Sequence, residues 1–347
     1  MQVMLTAEVE SSSARGGRTR RRVHPVAWFV LKRLALGAAT LFVVSVLIFA
    51  LTAIVPGDAV TVVLGKSGTP ETIAALQAKL GLDQPLWAQY LAWLSGLVHG
   101  DLGVSVVAMI NQQADPSIAT ALADPLANSL ILGFITAVLL IPLTLALGAI
   151  AGLFADRFLD HSISVPTLVL GGLPEFVTGA LFIYIFFTQL HVLPPVSLVP
   201  PGASPLQTPQ VLVLPVLTLL VVAVGSGARQ TRLGMLEAMR SDFVLSATLN
   251  GISHRRIITW YAMRNAVANA VQTIAQNLQY LVGGIIVVES VFAYPGIGVY
   301  LVNAVQSRDT NAILAASMIL AVLYTVINIV ADLLVVFLVP RLRSELV

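Results

Sequence analysis

The chain contains no cysteine, which removes disulfide frameworks, Cys-ligated zinc and thiol nucleophiles together. Charge is nearly as scarce. Only 10% of the 347 residues are Asp, Glu, Lys or Arg, against roughly 25% in soluble globular chains. Five histidines, His24, His99, His161, His191 and His254, fall in separate segments, so neither a metal site nor a Ser/His/Asp constellation is suggested. Gly65, Lys66 and Ser67 look like the end of a Walker A loop, but the first glycine of that motif would fall on Val60. The chain therefore has no P-loop, and catalysis by its own side chains is not expected.

Apolar residues fill the space that charge leaves. They make up 57% of the sequence, and the mean hydropathy is +0.89. Six apolar runs stand out, roughly 34–55, 129–154, 165–190, 211–224, 274–292 and 312–338. A helix needs about 20 residues to cross a hydrocarbon layer of about 30 Å. Five runs approach or exceed that length, and the fourth does so if it continues through the small residues 225–228. The expectation is an all-α polytopic membrane protein with six transmembrane helices.

The basic residues set the orientation. Of 19 Lys and Arg, seven precede Leu34, one lies in 155–162, six in 225–273 and two in the C-terminal tail; the alternate loops hold only Lys66, Lys79 and Arg308. Both termini are thus expected on the cytoplasmic side. Arg20, Arg21 and Arg22 ahead of an apolar run also suit an export signal. The run is longer than a usual signal core, and no small-residue cleavage site follows it, so a retained first helix is the expected form. Residues 1–25 read as a disordered basic segment lying against anionic lipid, and 26–347 as the transmembrane domain.

Loop 56–128 is the longest extramembrane segment and is expected outside the cell. Thr69 suits an N-cap, Pro70 the first helical position, Glu71 the first turn, and Gly81 the end of a short helix carrying Ile73, Leu76 and Leu80. Further on, Trp87, Tyr90 and Trp93 recur every three residues, with Leu91, Leu94 and Leu97 widening the apolar face. That pattern fits an interfacial helix at headgroup level or a contact surface for an extracytoplasmic partner. Three acidic residues fall within apolar runs. Glu175, after Pro174, either sits near an interface where a helix begins or lines a pathway; Asp332 reads as an interhelical hydrogen-bonding residue; Glu289 is near enough to a run's end to reach water.

The stretch 241–265, SDFVLSATLNGISHRRIITWYAMRN, is polar, basic and patterned as helix-turn-helix between two apolar runs. Neighbouring membrane helices need only short connections. It reads as a cytoplasmic docking surface, with an amphipathic connector lying on lipid headgroups as the alternative.

Asp242, Phe243, Leu245, Ser246, Ala247, Thr248, Leu249, Asn250 and Gly251, followed by Arg255, Arg256, Arg264 and Asn265, resemble the EAA loop of ABC importer permeases. Leu245, Ser246 and Ala247 stand at the three EAA positions, so the glutamate is absent and the second alanine matches. Pro56-Gly57-Asp58, the run GLDQPLWAQYLAWLSGLVHGDLG over 81–103, Pro174-Glu175-Phe176, ESVFAYPGIG over 289–298, Arg308-Asp309 and the tail Pro340-Arg341-Leu342-Arg343 are similar to the B-type subunit of the oligopeptide/dipeptide/nickel permease family. The resemblance covers about residues 26–343.

It implies a type I importer permease in the bacterial inner membrane, working with a second homologous permease, two ATP-binding cassette subunits or domains and an extracytoplasmic solute-binding protein. Membrane lipid is a further partner, and nucleic acid is not. ATP and Mg would be bound by the partner ATPases, with no cofactor in this chain. Asp242, Phe243, Leu245, Ser246, Ala247, Thr248, Leu249, Asn250 and Gly251 with Arg255 and Arg256 would couple to the ATPase, Glu175 and Phe176 are candidates for the pathway, and the cargo would most commonly be di- or oligopeptides. An ion- or proton-coupled secondary transporter using Glu175 and Asp332 is the alternative, against which no inverted repeat is evident.

The charge partition is tested with single cysteines in this cysteine-free chain. Arg255→Cys is expected to resist an impermeant thiol reagent outside intact cells, and Lys66→Cys to react with it. Outside labelling of Arg255→Cys would reverse the topology.

Overall fold

The computed structural model describes residues 25–54, 60, 69–79, 81 and 83–338. The basic segment before residue 25, the tripeptide Pro56-Gly57-Asp58, the near-Walker residues Gly65 to Ser67 and the tail motif from Pro340 lie outside them. Helices in order are α1 (Pro25–Ile54), α2 (Pro70–Lys79), α3 (Leu86–Val98), α4 (Val106–Ile110), α5 (Ile118–Leu153), α6 (Phe158–Gly171) and α7 (Glu175–Phe182). They continue with α8 (Gln210–Met239), α9 (Asp242–Leu249), α10 (His254–Arg256), α11 (Met263–Phe292), α12 (Ile297–Gln306) and α13 (Thr310–Leu338). π turns extend α7 through Ile183–Gln189 and join α10 to α11 through Ile257–Ala262. Among the described residues there is no strand, only one isolated bridge between Val104 and Ser117.

Among the described residues five helices, α1, α5, α8, α11 and α13, are long and apolar enough to cross a membrane, and α6 with α7, bent by 113° at the break, makes a sixth if the pair is one span. The third apolar run is thus two helices. Pro174 disfavours helical geometry at Leu173 and stands as the N-cap of α7 at φ −60°, ψ 148°. Two loops are also shorter than the polarity of the sequence implies. Most of 225–273 is helix, because α8 runs on to Met239 and α11 begins at Met263. Likewise α5 starts at Ile118, ten residues inside the presumed outer loop.

At the centre, α8 packs against α5 and α11, with α6 and α7 on one flank and α13 then α1 on the other. Small residues allow the closest approach. A Cβ on Gly148 of α5 would lie 2.5 Å from the Ala228 carbonyl oxygen, and one on Gly152 would lie 2.7 Å from the Met235 Cβ. From the other side, a Cβ on Gly227 would meet Thr144 Cγ2 at 2.5 Å. In lipid, where apolar burial gives helices no net drive to associate, such backbone approach supplies dispersion contact instead. The peripheral α1 joins α13 through Arg33, whose Nη1 is 3.1 Å from Asp332 Oδ2 and whose guanidinium lies over the Phe29 ring. Asp332 is therefore an interhelical residue.

Buried carboxylates close the turns. Asp160 at the start of α6 accepts from Arg232 Nε at 2.7 Å, Ser164 Oγ at 2.9 Å and the Asp156 amide at 2.9 Å. Asp309 accepts from Ser105 Oγ at 2.5 Å and from the amides of Val106, Val107 and Ala312, tying α4 to the start of α13. Glu289 corrects the expectation that it reaches water, being fully buried. Its carboxylate accepts from Ser129 Oγ of α5 and, at 2.7 Å, from the Gly298 amide at the start of α12. Ala293 in left-handed conformation (φ 49°) turns the chain back to make this possible.

Within 56–128, α2 stands at the expected position, ended by Gly81 at φ 67°. The aromatic helix α3 leans on α1. Tyr90 Oη is 2.9 Å from Ser45 Oγ, and the rings of Tyr90 and Trp93 lie 5.3 and 6.2 Å from that of Phe49.

The glycine contacts give a stability prediction. Gly152→Val is expected to cost about 1–3 kcal/mol by overpacking, read as a lower thermal unfolding midpoint of the purified protein. Gly283→Ala, with nothing within 4 Å of the new Cβ, is expected to stay within about 0.5 kcal/mol of the parent. Equal midpoints for the two would remove the close-packing account of α5 and α8.

Candidate functional site

Between the long helices α8 and α11 the chain makes a compact turn. Ser241 is extended (φ −80°, ψ 153°) and breaks the helix. The following helix α9 then turns Val244 and Ala247 inward, where with Ile257 and Ile252 they form a small core. Its end is a Schellman motif: the Gly251 amide bonds the Thr248 carbonyl at 3.0 Å, and the Ile252 amide the Ala247 carbonyl at 3.1 Å. Gly251 has φ +73° and nothing within 4 Å of where a Cβ would stand. Backbone conformation, not space, selects glycine there.

The remaining residues of α9 face outward. Asp242, Phe243, Leu245, Ser246, Thr248, Leu249 and Asn250 are exposed, Leu249 to 79%. Thr248 Oγ1 and Asn250 Nδ2 bond carbonyls within the same helix, which leaves the outer face bare. Arg255 and Arg256 are exposed beyond the turn. Arg256 lines a groove of about 490 Å³ with Phe243, Trp260, Tyr261, Arg264 and Asn265, whereas Arg255 stands outside it. An apolar ridge beside a basic aromatic groove, anchored by a buried Ile257, is suited to receive another protein.

The two pathway candidates part company. Glu175 is the first residue of α7, buried, with its carboxylate beside Gly284 of α11. It lines a cavity of about 490 Å³ with Gln276, Gln279, Tyr280, Gly283 and Tyr324. Phe176 is 56% exposed and lines neither that cavity nor the two that join it.

Those two extend the polar surface. One, of about 570 Å³, shares Tyr280 and adds Ser226, Arg229, Gln230 and Asn277; the other, of about 370 Å³, shares Gln276, Gln279 and Tyr324 and reaches Asn328 and the Arg33–Asp332 pair. Asn277 fixes α11 to α8, donating to the Ala223 carbonyl at 2.9 Å and accepting from Ser226 Oγ at 2.9 Å. Gln272, Gln276 and Gln279 with Tyr280 mark one face of α11. Sequence reasoning passed over them, although their spacing of four and three residues, leading into an apolar run, is the signal of such a face. Lipid offers amides no hydrogen bonds, so this face belongs against water or protein. Among the described residues no group of His, Asp or Glu is placed to hold a metal ion.

Comparison with known proteins covers most of the chain. Residues 144–344 match the family described as binding-protein-dependent transport system inner membrane component, and residues 26–119 match the N-terminal domain of such membrane components. A Brucella abortus protein, named provisionally as a peptide transport system permease, is 32% identical over 316 residues, 91% of this chain and 99% of its own. The glutathione transport system permease protein of Escherichia coli is 33% identical over 318 residues, again 91% of this chain and 99% of its own. A Sinorhizobium fredii protein, named provisionally as a peptide ABC transporter permease, is 29% identical with the same coverage. The chain thus belongs to the family of binding-protein-dependent transport system inner membrane components, as a multi-pass permease of an ABC importer.

Proposed function

We propose that this chain, with both termini in the cytoplasm, forms half of the translocation pathway of an ATP-driven importer and receives its stroke through α9. The observation that carries the reading is the bare outer face of α9, held by a buried core and a glycine-dependent turn between two spans that both line the polar cavity. A separate ATPase closing on ATP and Mg would displace α9, and α8 and α11 would move with it between inward-open and outward-open arrangements. A second, homologous permease would supply the facing wall, and an extracytoplasmic binding protein would deliver cargo.

Di- and oligopeptides are the proposed cargo. Two relatives are provisionally named for peptide transport, and another is named for glutathione. The cavity chemistry agrees. Gln276, Gln279, Asn277 and Tyr280 offer donors and acceptors to peptide groups without selecting charge, while Glu175 and Arg229 offer one charge of each sign. Ion-coupled transport through Asp332 is disfavoured by its pairing with Arg33; uptake persisting without ATP hydrolysis would restore that alternative.

Coupling is tested at Gly251. Gly251→Val forces a β-branched residue to φ +73°, at a cost of about 1–2 kcal/mol, whereas Asn tolerates that region. In a reconstituted transporter Gly251→Val and Ala247→Asp are expected to lose most uptake, with ATPase subunits either released or hydrolysing ATP unproductively, and Gly251→Asn to retain it. Full coupled uptake in both damaging variants would make the turn a passive connector.

The pathway is tested at α11. Gln276→Leu with Gln279→Leu is expected to insert normally, since apolar residues suit a span, and to lower uptake while binding-protein affinity for cargo stays unchanged. Undiminished uptake would place the pathway elsewhere.

A further inference from the structure

The position of α3 against α1 fixes how deep α3 lies. The apolar stretch of α1 opens after Lys32 and Arg33 and runs through Ile54. At about 1.5 Å per residue this is roughly 30 Å, the thickness of a bilayer's hydrocarbon layer. Phe49 then lies about 8 Å, and Ser45 about 14 Å, inside the far end of that stretch. These are the residues that α3 touches. Tyr90 meets Ser45 through a 2.9 Å hydroxyl contact, and the Tyr90 and Trp93 rings pack on Phe49.

A helix at headgroup level would touch α1 near Ile54 or beyond. The composition of α3 agrees with greater depth. Its thirteen residues, LWAQYLAWLSGLV, include no charge, while Asp83 precedes it and His99 and Asp101 follow it. Its polar ends are tied locally: Gln89 Nε2 donates to the Gln84 carbonyl at 2.7 Å, and the Asp101 amide to the Gly96 carbonyl at 2.9 Å. Leu86, Trp87 and Leu91 are bare, Trp87 to 69%.

We propose that α3 is a membrane-embedded helix in the leaflet remote from α9, with Leu86, Trp87 and Leu91 packed against lipid acyl chains. It does not cross the bilayer, being thirteen residues or about 20 Å long. The depth of its contacts on α1 selects lipid as occupant over a water-borne binding protein, which would have to reach below the headgroups. The inference rests on the spans alone and holds whatever α9 docks.

The test follows the emission of Trp87 as the sole tryptophan. Trp28, Trp93 and Trp260 are replaced by Phe, which keeps the ring beside Phe49, every tryptophan of the partner subunits is replaced likewise, and the complete transporter is reconstituted in phosphatidylcholine vesicles. Bromine placed midway along the acyl chains is expected to remove most of the emission, and aqueous iodide to leave it unchanged. A second reporter, Leu91→Trp with Trp87→Phe in the same background, is expected to behave alike. Quenching of both reporters by iodide and not by bromolipid would place α3 in water and overturn the proposal. Protection from both quenchers in the complete transporter would show a partner protein on this face and overturn it equally.

Discussion

A carboxylate withdrawn from water must be matched by donors, and this requirement organises the ends of the spans. Burying an unmatched charge costs several kcal/mol in a protein interior, and lipid supplies no replacement for water. Asp160, Glu289 and Asp309 each meet it by gathering donors from a second element. Asp160 draws Arg232 from α8 onto the start of α6; Glu289 draws Ser129 from α5 and the Gly298 amide of α12; Asp309 draws the start of α4 onto the start of α13. Around Glu289 the network continues. Ser129 Oγ accepts from the Ile297 amide, Asn128 donates to the Pro295 carbonyl, and the Tyr294 phenol donates to the Asn128 carbonyl, each at 2.9 Å. A Cβ at Gly298 would stand 2.7 Å from the Glu289 carboxylate, so the glycine there follows from the buried acid.

With the turns held in this way, the spans between them pack through small residues and leave one polar face unspent. The face on α11 and the polar residues Ser226, Arg229 and Gln230 of α8 border the same space. Both helices lead directly into the turn that carries α9. Cavity and α9 are therefore two parts of one hairpin of long helices.

Much of this was legible in the residues. The number of apolar runs, the cap and stop of α2 and the need for glycine at 251 follow from local chemistry, which tertiary packing did not override. What escaped reading depends on partners far along the chain. Glu289 looked wet because it stands near the end of an apolar run, and only the return of α12 over it makes it dry. The third run looked continuous because the segments on both sides of Pro174 are apolar, and hydropathy does not register direction. The polar stretch after Val224 read as loop, although its residues continue α8 to Met239 with one side against α5. Phe176 was grouped with Glu175 by adjacency, but neighbours on a helix point about 100° apart, and one faces the cavity while the other is exposed.

The length of α8 has a thermodynamic consequence. Its 30 residues span about 45 Å, some 15 Å more than the hydrocarbon layer. The surplus carries the helix from the cavity at Arg229 to the root of α9 at Met239 without a break. Cavity shape and α9 position are then not independent coordinates. On the proposed reading, any solute that favours one arrangement of the cavity would bias a protein bound at α9 by the same free energy, and the reverse would hold with equal size. Cargo occupancy would thereby be reported across the membrane before any chemistry takes place.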